Sequence, residues 1–355
     1  MTTGNLLEKT IEAIPLLDRG AMAAARARQD TLTKPLGALG RLEELSILLA
    51  GMTGELTPDL SRRVVFVAAA DHGVVAQGVS AYPQEVTLQM VLNFLRGGAA
   101  INVLARQMGA KVVVVDAGVA GELPPGAAVL SRKLAFGTAD FSRGPAMSRE
   151  HAVTIVEAGI AEALRATEAG AQLFATGDMG IGNTTAASAV TAVVCQRPPR
   201  EVVGKGTGIP DERLDHKAQV IQQALDVNHP DAKDGLDVLA KVGGYEIGFL
   251  AGVILGAASL RRPVVLDGFI SGAAALVALT LCPRSRDYML ASHRSQEPGH
   301  RAALRKLRRK PILDLDMRLG EGTGAVLAMP ILEASVRCLK EMATFAEAGV
   351  SEKGE

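Results

Sequence analysis

The stretch RVVFVAAADHG, residues 63–73, begins with a continuous apolar run and ends in a polar turn. A short Val-rich run that is apolar on both faces indicates a buried strand of a parallel sheet. Three further runs have the same form, namely KVVVVDA (111–117), LFATGDMG (173–180) and RPVVLDGF (262–269). Because helical patterns separate the runs, the sequence predicts an α/β fold whose mainly parallel sheet is covered by helices on both sides.

An aspartate follows or ends each of these runs, at Asp71, Asp116, Asp178 and Asp267. In open parallel sheets the ligand crevice lies beyond the carboxyl ends of the strands. A single aspartate there is also well explained as a helix N-cap or a turn residue. Four together favour one shared site, so we expect these side chains to lie near it.

The two ends of the chain have helical patterns instead of strand patterns. We therefore predict a large α/β domain over residues 60–320 and a small, mainly helical domain assembled from residues 1–59 and 321–355. No repeat of fixed period is present. The stretches with the weakest pattern are 121–148 and 282–304.

The amino-acid composition argues against several classes of function. The 38 Lys and Arg balance the 38 Asp and Glu, which argues against a general nucleic-acid or membrane-surface binder. The three cysteines form no CxxC pair, so neither a zinc ribbon nor a disulfide framework is indicated. The apolar stretch at 247–260 is short for a membrane span, and the N-terminus has no signal-type apolar core. These features predict a cytoplasmic protein with neither nucleic-acid nor membrane partners.

The glycine-rich stretch GDMGIGNTT, residues 177–185, follows a predicted strand and precedes a helix of small residues. A glycine turn at a helix start lets the backbone approach an anion closely. We therefore take Gly180, Gly182, Asn183 and Thr184 as candidate substrate-binding residues. The alternative is a tight strand–helix turn capped by Asn183 or Thr184. The stretch is neither a Walker A motif nor GxGxxG.

A second glycine-rich loop, VGKGTG at 203–208, carries a cation and a hydroxyl group. Backbone amides with a lysine and a threonine would suit a phosphomonoester. The alternative is a flexible loop with a charged surface. Its candidate binding residues are Gly204, Lys205, Gly206, Thr207 and Gly208.

The third loop, in DMRLGEGTGAVLAMP (316–330), places Glu321 among glycines at the start of a helical pattern. The simpler interpretation is a first-turn acidic residue that is favourable to the helix dipole. Two other loops are enough for one phosphate, and this one has no Lys or Arg between its glycines. We therefore predict that Glu321 takes a proton. The pair His293 and His300 lacks regular helical spacing, because Pro298 and Gly299 lie between them, so no metal site is predicted.

Several stretches together resemble one enzyme family. They are TKPLGALGRLEEL (33–45), AADHGVVAQGVSAYPQEVT (69–87), NFLRGGAAINVLAR (93–106), GDMGIGNTTAA (177–187), GKGTG (204–208), GGYEIGFLAGVILGAA (243–258), VVLDGFISGAAAL (264–276), ASHRSQEPGH (291–300) and DMRLGEGTGAVLAMPILEA (316–334). The chain resembles the nicotinate-nucleotide–dimethylbenzimidazole phosphoribosyltransferases, which make the lower-ligand nucleotide of cobalamin. The resemblance covers nearly the full length.

The resemblance implies transfer of 5-phosphoribose from nicotinate mononucleotide to 5,6-dimethylbenzimidazole, which gives nicotinate and α-ribazole 5′-phosphate. It implies a Rossmann-like three-layer domain with a small helical domain, usually in a homodimer, and neither cofactor nor metal. Two alternatives stay open, a related phosphoribosyltransferase with another acceptor base and a nucleotide-binding protein without catalysis.

The resemblance also implies roles for individual residues. The family's catalytic base matches Glu321, and Lys217 matches a lysine near its active site. Ser80 and Gln89 fall near the family's benzimidazole contacts, within a segment whose polar and apolar residues suit a flat ring. Asp178 stands where the family motif GEMGIGNTT has glutamate, which keeps the carboxylate but shortens its reach by one methylene. Glu321, Lys217 and Asp178 are thus the candidate catalytic residues.

Overall fold

A computed structural model describes residues 5–206, 208 and 210–351. Six parallel strands form one sheet in the order β3-β2-β1-β4-β5-β6. The predicted α/β fold is thereby confirmed, and the four predicted runs are β1, β2, β4 and β5. The strands are β1 (Arg63–Ala70), β2 (Ala110–Gly118), β3 (Leu130–Ser131), β4 (Leu173–Met179), β5 (Val264–Leu266) and β6 (Met289–Ala291).

Helices connect the strands and cover the sheet. They are α1 (Leu6–Ala13), α2 (Arg19–Thr31), α3 (Arg41–Thr53), α4 (Val86–Arg96), α5 (Ala100–Met108), α6 (Arg149–Glu168), α7 (Asn183–Cys195), α8 (Pro199–Val202), α9 (Leu214–Asn228), α10 (Gly235–Val242), α11 (Tyr245–Ser259), α12 (Phe269–Leu281), α13 (Pro298–Leu307), α14 (Thr323–Glu341) and α15 (Phe345–Ala348). The short turns Gly73–Gln77, Asp211–Arg213 and Pro283–Tyr288 are 3₁₀-helical.

Neighbouring side chains of β1 show why the sheet is covered on both faces. The ring of Phe66 packs against Phe174 of β4 and Phe249 of α11. Val65 points the other way, towards the loop that begins α14. Because successive strand residues face opposite sides, the apolar run can be continuous only if helices cover both sides. The result is the three-layer, Rossmann-like arrangement.

The terminal helices pack together, with α2 and α3 against α14. The same α14 also contacts β4 and β5 of the sheet. A helix shared in this way does not mark a sharp border, so the boundaries at residues 60 and 320 stay a prediction.

Of the described residues, the stretch Val86–Met108 has the length and apolar composition of a membrane span. Gly97, at φ 78°, divides it into α4 and α5, which have 11 and 9 residues. A spanning helix needs about 20 residues, so neither helix is long enough.

Candidate active site

The strand order reverses between β1 and β4, and this is the place where a doubly wound sheet opens a crevice. A cavity of about 270 Å³ lies beyond the ends of β4 and β5. The turn after β4, Gly206 of the second glycine loop and Gly320 of the third all line it. The full lining is Tyr82, Asp178, Met179, Gly180, Ile181, Asn183, Thr184, Gly206, Gly268, Phe269, Ile270, His293, Ser295, Glu297, Arg318, Leu319 and Gly320. The three loops predicted from the sequence therefore meet at one cavity.

The four strand-end aspartates divide into two pairs. Asp178 lines the cavity, and Asp267 binds the backbone of the third glycine loop beside it. Asp71 instead accepts a hydrogen bond from the backbone N–H of Ala120 at 2.8 Å. Asp116 accepts one from Val119 at 2.9 Å and pairs with Lys133. Asp116 therefore fits the alternative of a turn residue, whereas Asp71 links two loops, and neither side chain lines the cavity.

The turn after β4 is built so that glycine is required. A Cβ on Gly180 would lie 2.3 Å from the carbonyl oxygen of Ala70, and Gly182 has φ 93°. The helix α7 that follows has no side-chain cap. The alternative of capping by Asn183 or Thr184 is therefore wrong, and the helix start is left suited to an anion.

Side chains around this turn are fixed by buried hydrogen bonds. Asn183 Nδ2 donates to Asp178 Oδ2 at 2.9 Å, and Thr184 Oγ1 accepts from Lys217 Nζ at 2.8 Å. Burial, together with the carboxylates of Asp267, Glu246 and Glu321, raises the pKa of Asp178 well above its usual value. Asp178 thus faces the cavity as a group that resists losing its proton.

The backbone of the second glycine loop is tied to three side chains. The Gly206 N–H donates to Glu297 Oε1 at 2.9 Å, and Arg318 Nη1 donates to the Gly206 carbonyl at 3.2 Å. Lys217 Nζ donates to the Gly204 carbonyl at 3.3 Å. Lys205 is exposed, and its backbone carbonyl accepts a hydrogen bond from the Gly208 N–H. Thr207 lies outside the described residues.

Lys217 lies behind the cavity wall, not on it. Its side chain is 1% exposed, and burial lowers the pKa of its ammonium group to about 8 despite the opposing charge of Glu297. Its hydrogen-bond partners are Thr184 and the glycine loop. Lys217 is therefore connected to the cavity through Thr184 and the glycine loop, which it holds.

The loop of Glu321 is anchored by Asp267 from the end of β5. Asp267 Oδ2 accepts from the Gly322 N–H at 3.0 Å, while Oδ1 accepts from Gly324 at 2.7 Å and Ala325 at 3.1 Å. These donors are the free N–H groups at the start of α14, where an anion is favoured. Burial raises the pKa of Asp267 to about 7, against the effect of these backbone donors. The anion site of this helix is thus filled by the protein.

Glu321 itself points away from α14. Its φ is 63°, a left-handed conformation that side chains other than glycine rarely adopt, and Gly320 and Gly322 on either side also have positive φ. Its Oε2 accepts from the Ile101 N–H, at the start of α5, at 3.3 Å. Burial raises the pKa of the Glu321 carboxyl, and this hydrogen bond opposes the rise. The interpretation of Glu321 as a first-turn residue of α14 is wrong, because it precedes the helix.

The candidate acceptor residues lie on the segment between β1 and α4. Ser80 closes a turn with Tyr82, whose side chain lines the cavity. Gln89 is exposed on α4. Thr87 of the same helix binds the Ile181 N–H at 3.0 Å, so this segment is fastened to the turn after β4.

Three residues of the site are not predicted from the sequence, namely Thr87, Glu297 and Arg318, and Asp267 is predicted to lie near the site but not to anchor a loop. Asp267 had a signal, because it ends a predicted strand. Glu297 had a weaker one, since a residue before proline often marks a helix start. Nothing in the local pattern indicates the partners of Thr87 or Arg318.

The two histidines considered as metal ligands are buried and engaged. His293 Nδ1 lies 3.0 Å from Ser292 Oγ, and His300 Nδ1 accepts from the Ser295 N–H at 3.0 Å. Burial lowers the pKa of His293 to about 4 and that of His300 to about 3. Within the described part of the chain, no group of three or more His, Cys, Asp or Glu side chains is placed to hold a metal ion.

A family model, related sequences and solved structures all indicate the same enzyme family. A family model described as Phosphoribosyltransferase matches residues 14–350. The chain is 64% identical over 351 residues, 99% of each chain, to a nicotinate-nucleotide–dimethylbenzimidazole phosphoribosyltransferase of Chloroflexus aggregans. It is 61% identical to the Roseiflexus sp. protein of the same name, again over 99% of each. A crystal structure of that enzyme from Thermus thermophilus matches with a TM-score of 0.90 and 53% identity, covering 95% of this chain and 100% of the other. The chain belongs to the nicotinate-nucleotide–dimethylbenzimidazole phosphoribosyltransferase family.

Proposed function

We propose that the chain transfers 5-phosphoribose from nicotinate mononucleotide to 5,6-dimethylbenzimidazole, releasing nicotinate and forming α-ribazole 5′-phosphate. The names of its relatives supply the two substrates. The observation that carries the proposal is the buried carboxylate of Glu321, which lies on the loop whose Gly320 lines the cavity and is oriented by the Ile101 N–H.

The reaction asks for one proton acceptor. The bond between C1′ and the pyridinium nitrogen breaks, and its electrons return to the neutral ring of nicotinate, so the leaving group needs no acid. One ring nitrogen of the acceptor forms the new bond from the opposite face, which inverts C1′. The proton on the other ring nitrogen goes to Glu321. A positioned base typically contributes about 10²–10⁴-fold to the rate.

The remaining residues suit binding of the donor. Gly180, Gly182, Asn183 and Thr184 offer a helix start without a side-chain cap for the phosphate, beside Gly206 of the second glycine loop. We assign Lys217 to holding this loop and Thr184, and Asp178 to the cavity wall. Ser80 and Gln89 are assigned to the acceptor side. A homodimer in the cytoplasm stays a prediction.

Glu321→Gln tests the proposal, because the amide can still accept from Ile101 but cannot take a proton. Release of free nicotinate from nicotinate mononucleotide and dimethylbenzimidazole should be abolished, while calorimetry should show nearly unchanged binding of nicotinate mononucleotide. Glu333→Gln is the matched control, since Glu333 lies on α14 and pairs with Arg63. Near-normal turnover by Glu321→Gln would refute the assignment of the base.

The same assay separates the two alternatives. Faster release of nicotinate with a purine or a phenol would indicate a related transferase with another acceptor. Binding of the mononucleotide without any release would indicate a nucleotide-binding protein. A methyl-sized difference in an apolar pocket is worth only about 1–3 kcal/mol, so the acceptors must be compared quantitatively.

A further inference from the structure

Glu297 is a buried carboxylate at the cavity whose role the reaction does not explain. It is 5% exposed and lies directly before α13. A residue in that position commonly caps its own helix, but the Glu297 side chain makes no such bond. It reaches instead to the second glycine loop, where Oε1 accepts the Gly206 N–H at 2.9 Å.

The loop and the carboxylate fit each other closely. A Cβ on Gly204 would lie 2.0 Å from Glu297 Oε2 and 2.7 Å from Pro298 Cδ. Such distances leave no room for any side chain at position 204, so Glu297 sets a steric requirement for glycine there.

Cations hold the loop from other directions. Lys217 binds the Gly204 carbonyl, and Arg318 binds the Gly206 carbonyl. The charge of Glu297 opposes the loss of a proton from Lys217, because it favours the ammonium form. One carboxylate and two cations thus fix the loop between α13 and the start of α7.

This arrangement changes how the loop can bind phosphate. The Gly206 N–H is occupied by Glu297, so a phosphate must be bound by other groups of the site, such as Thr184 at the start of α7. Thr184 lines the same cavity and shares Lys217 with the loop. The distance between the loop and the helix start therefore depends on Glu297.

We propose that Glu297 is a positioning residue, which holds the glycine loop at 204–206 in register with the start of α7 so that the two bind the donor's phosphate together. It acts through the Gly206 N–H and takes no part in the chemical step. This inference rests on the proposed function, because the phosphate belongs to nicotinate mononucleotide.

The test compares Glu297→Ala with Glu297→Gln by calorimetric titration with nicotinate mononucleotide. Glu297→Ala leaves the buried Gly206 N–H without an acceptor, so binding should weaken between about five- and a hundredfold. Glu297→Gln keeps an oxygen at that place and should recover most of the affinity. In steady-state assays the KM for the mononucleotide should rise in Glu297→Ala, with little change in kcat or in the KM for dimethylbenzimidazole.

Glu162→Gln provides the matched control, since Glu162 is another buried carboxylate, lies on α6 and pairs with Arg132 and Arg165. It should lose stability without losing affinity. Unchanged or tighter binding by Glu297→Ala, or equal weakening in both Glu297 variants, would overturn the proposal. The affinities of the two Glu297 variants for inorganic phosphate can be compared even if the native protein releases no nicotinate. A failure of the proposed reaction is therefore distinguishable from a failure of the role proposed for Glu297.

Discussion

Replacing Gly177 by alanine should disable the site without touching any substrate atom. Gly177 lies on β4, directly beneath the loop of Glu321. A Cβ there would be 2.5 Å from the Glu321 carbonyl oxygen, 2.7 Å from its carbonyl carbon and 2.8 Å from the Gly322 nitrogen. Because ordinary carbon contacts begin near 3.5 Å, the loop would have to retreat by up to about 1 Å.

The strand cannot move in place of the loop. β4 is paired with β1 on one side and β5 on the other, so its backbone is fixed in the middle of the sheet. A displacement of about 1 Å at a reacting group can cost about 10²-fold in rate. Overpacking of this kind should also lower the free energy of unfolding by about 1–3 kcal/mol.

The assay is nicotinate release by Gly177→Ala, with urea denaturation of the same preparation. Gly256→Ala is the control, because its Cβ would lie 2.9 Å from the Cβ of Ala163 in the contact between α6 and α11, away from the cavity. It should lose comparable stability and retain its turnover number. An unchanged turnover number in folded Gly177→Ala would refute the view that β4 positions Glu321.

Two further predictions concern the anchor of the loop and its protonation. In Asp267→Asn an amide NH₂ would face one of the three backbone donors, so the free energy of unfolding should fall by about 1–3 kcal/mol and turnover should fall with it; unchanged stability by urea denaturation would contradict the anchor. Glu321 must be ionised to act as a base, and ionised Asp267 accepts all three N–H groups. Since burial raises the pKa of Glu321 above 4.5 and that of Asp267 to about 7, kcat/KM should fall as the pH drops through about 7. A pH–rate profile that is flat down to about pH 5 would contradict this.

The fold was predictable to the extent that a strand is long enough to show a pattern. β1, β2 and β4 have seven to nine residues and were recognisable as buried runs. β3 has two residues and β6 has three, so neither shows a period, whereas the three-residue β5 was recognisable because it lies in the run RPVVLDGF that ends in Asp267-Gly268. Both lie in the stretches with the weakest pattern, 121–148 and 282–304. Short edge strands take their structure from the neighbour that they pair with, which local sequence does not contain.

The sequence predicts where the site lies better than it predicts which side chains bind each other there. Strand ends and glycine turns indicated which loops meet, since the carboxyl ends of parallel strands share one edge. Hydrogen-bond partners that are far apart in the chain could not be predicted, as with Glu297 and Gly206, which are 91 residues apart. Glycine patterns predict where the backbone can approach an anion. They do not show whether a carboxylate of the protein already occupies the donor.

The case of Glu321 shows how such an occupied donor changes the interpretation. An acid at the start of α14 has an easy explanation in the helix dipole, but Asp267 already takes that place with both of its oxygens. Three successive residues with positive φ then turn the Glu321 side chain towards α5. A left-handed backbone conformation costs a residue other than glycine about 1–2 kcal/mol of conformational energy. Glycine at position 321 would avoid this strain. A strained glutamate that the helix does not need is best explained by a function of its carboxylate.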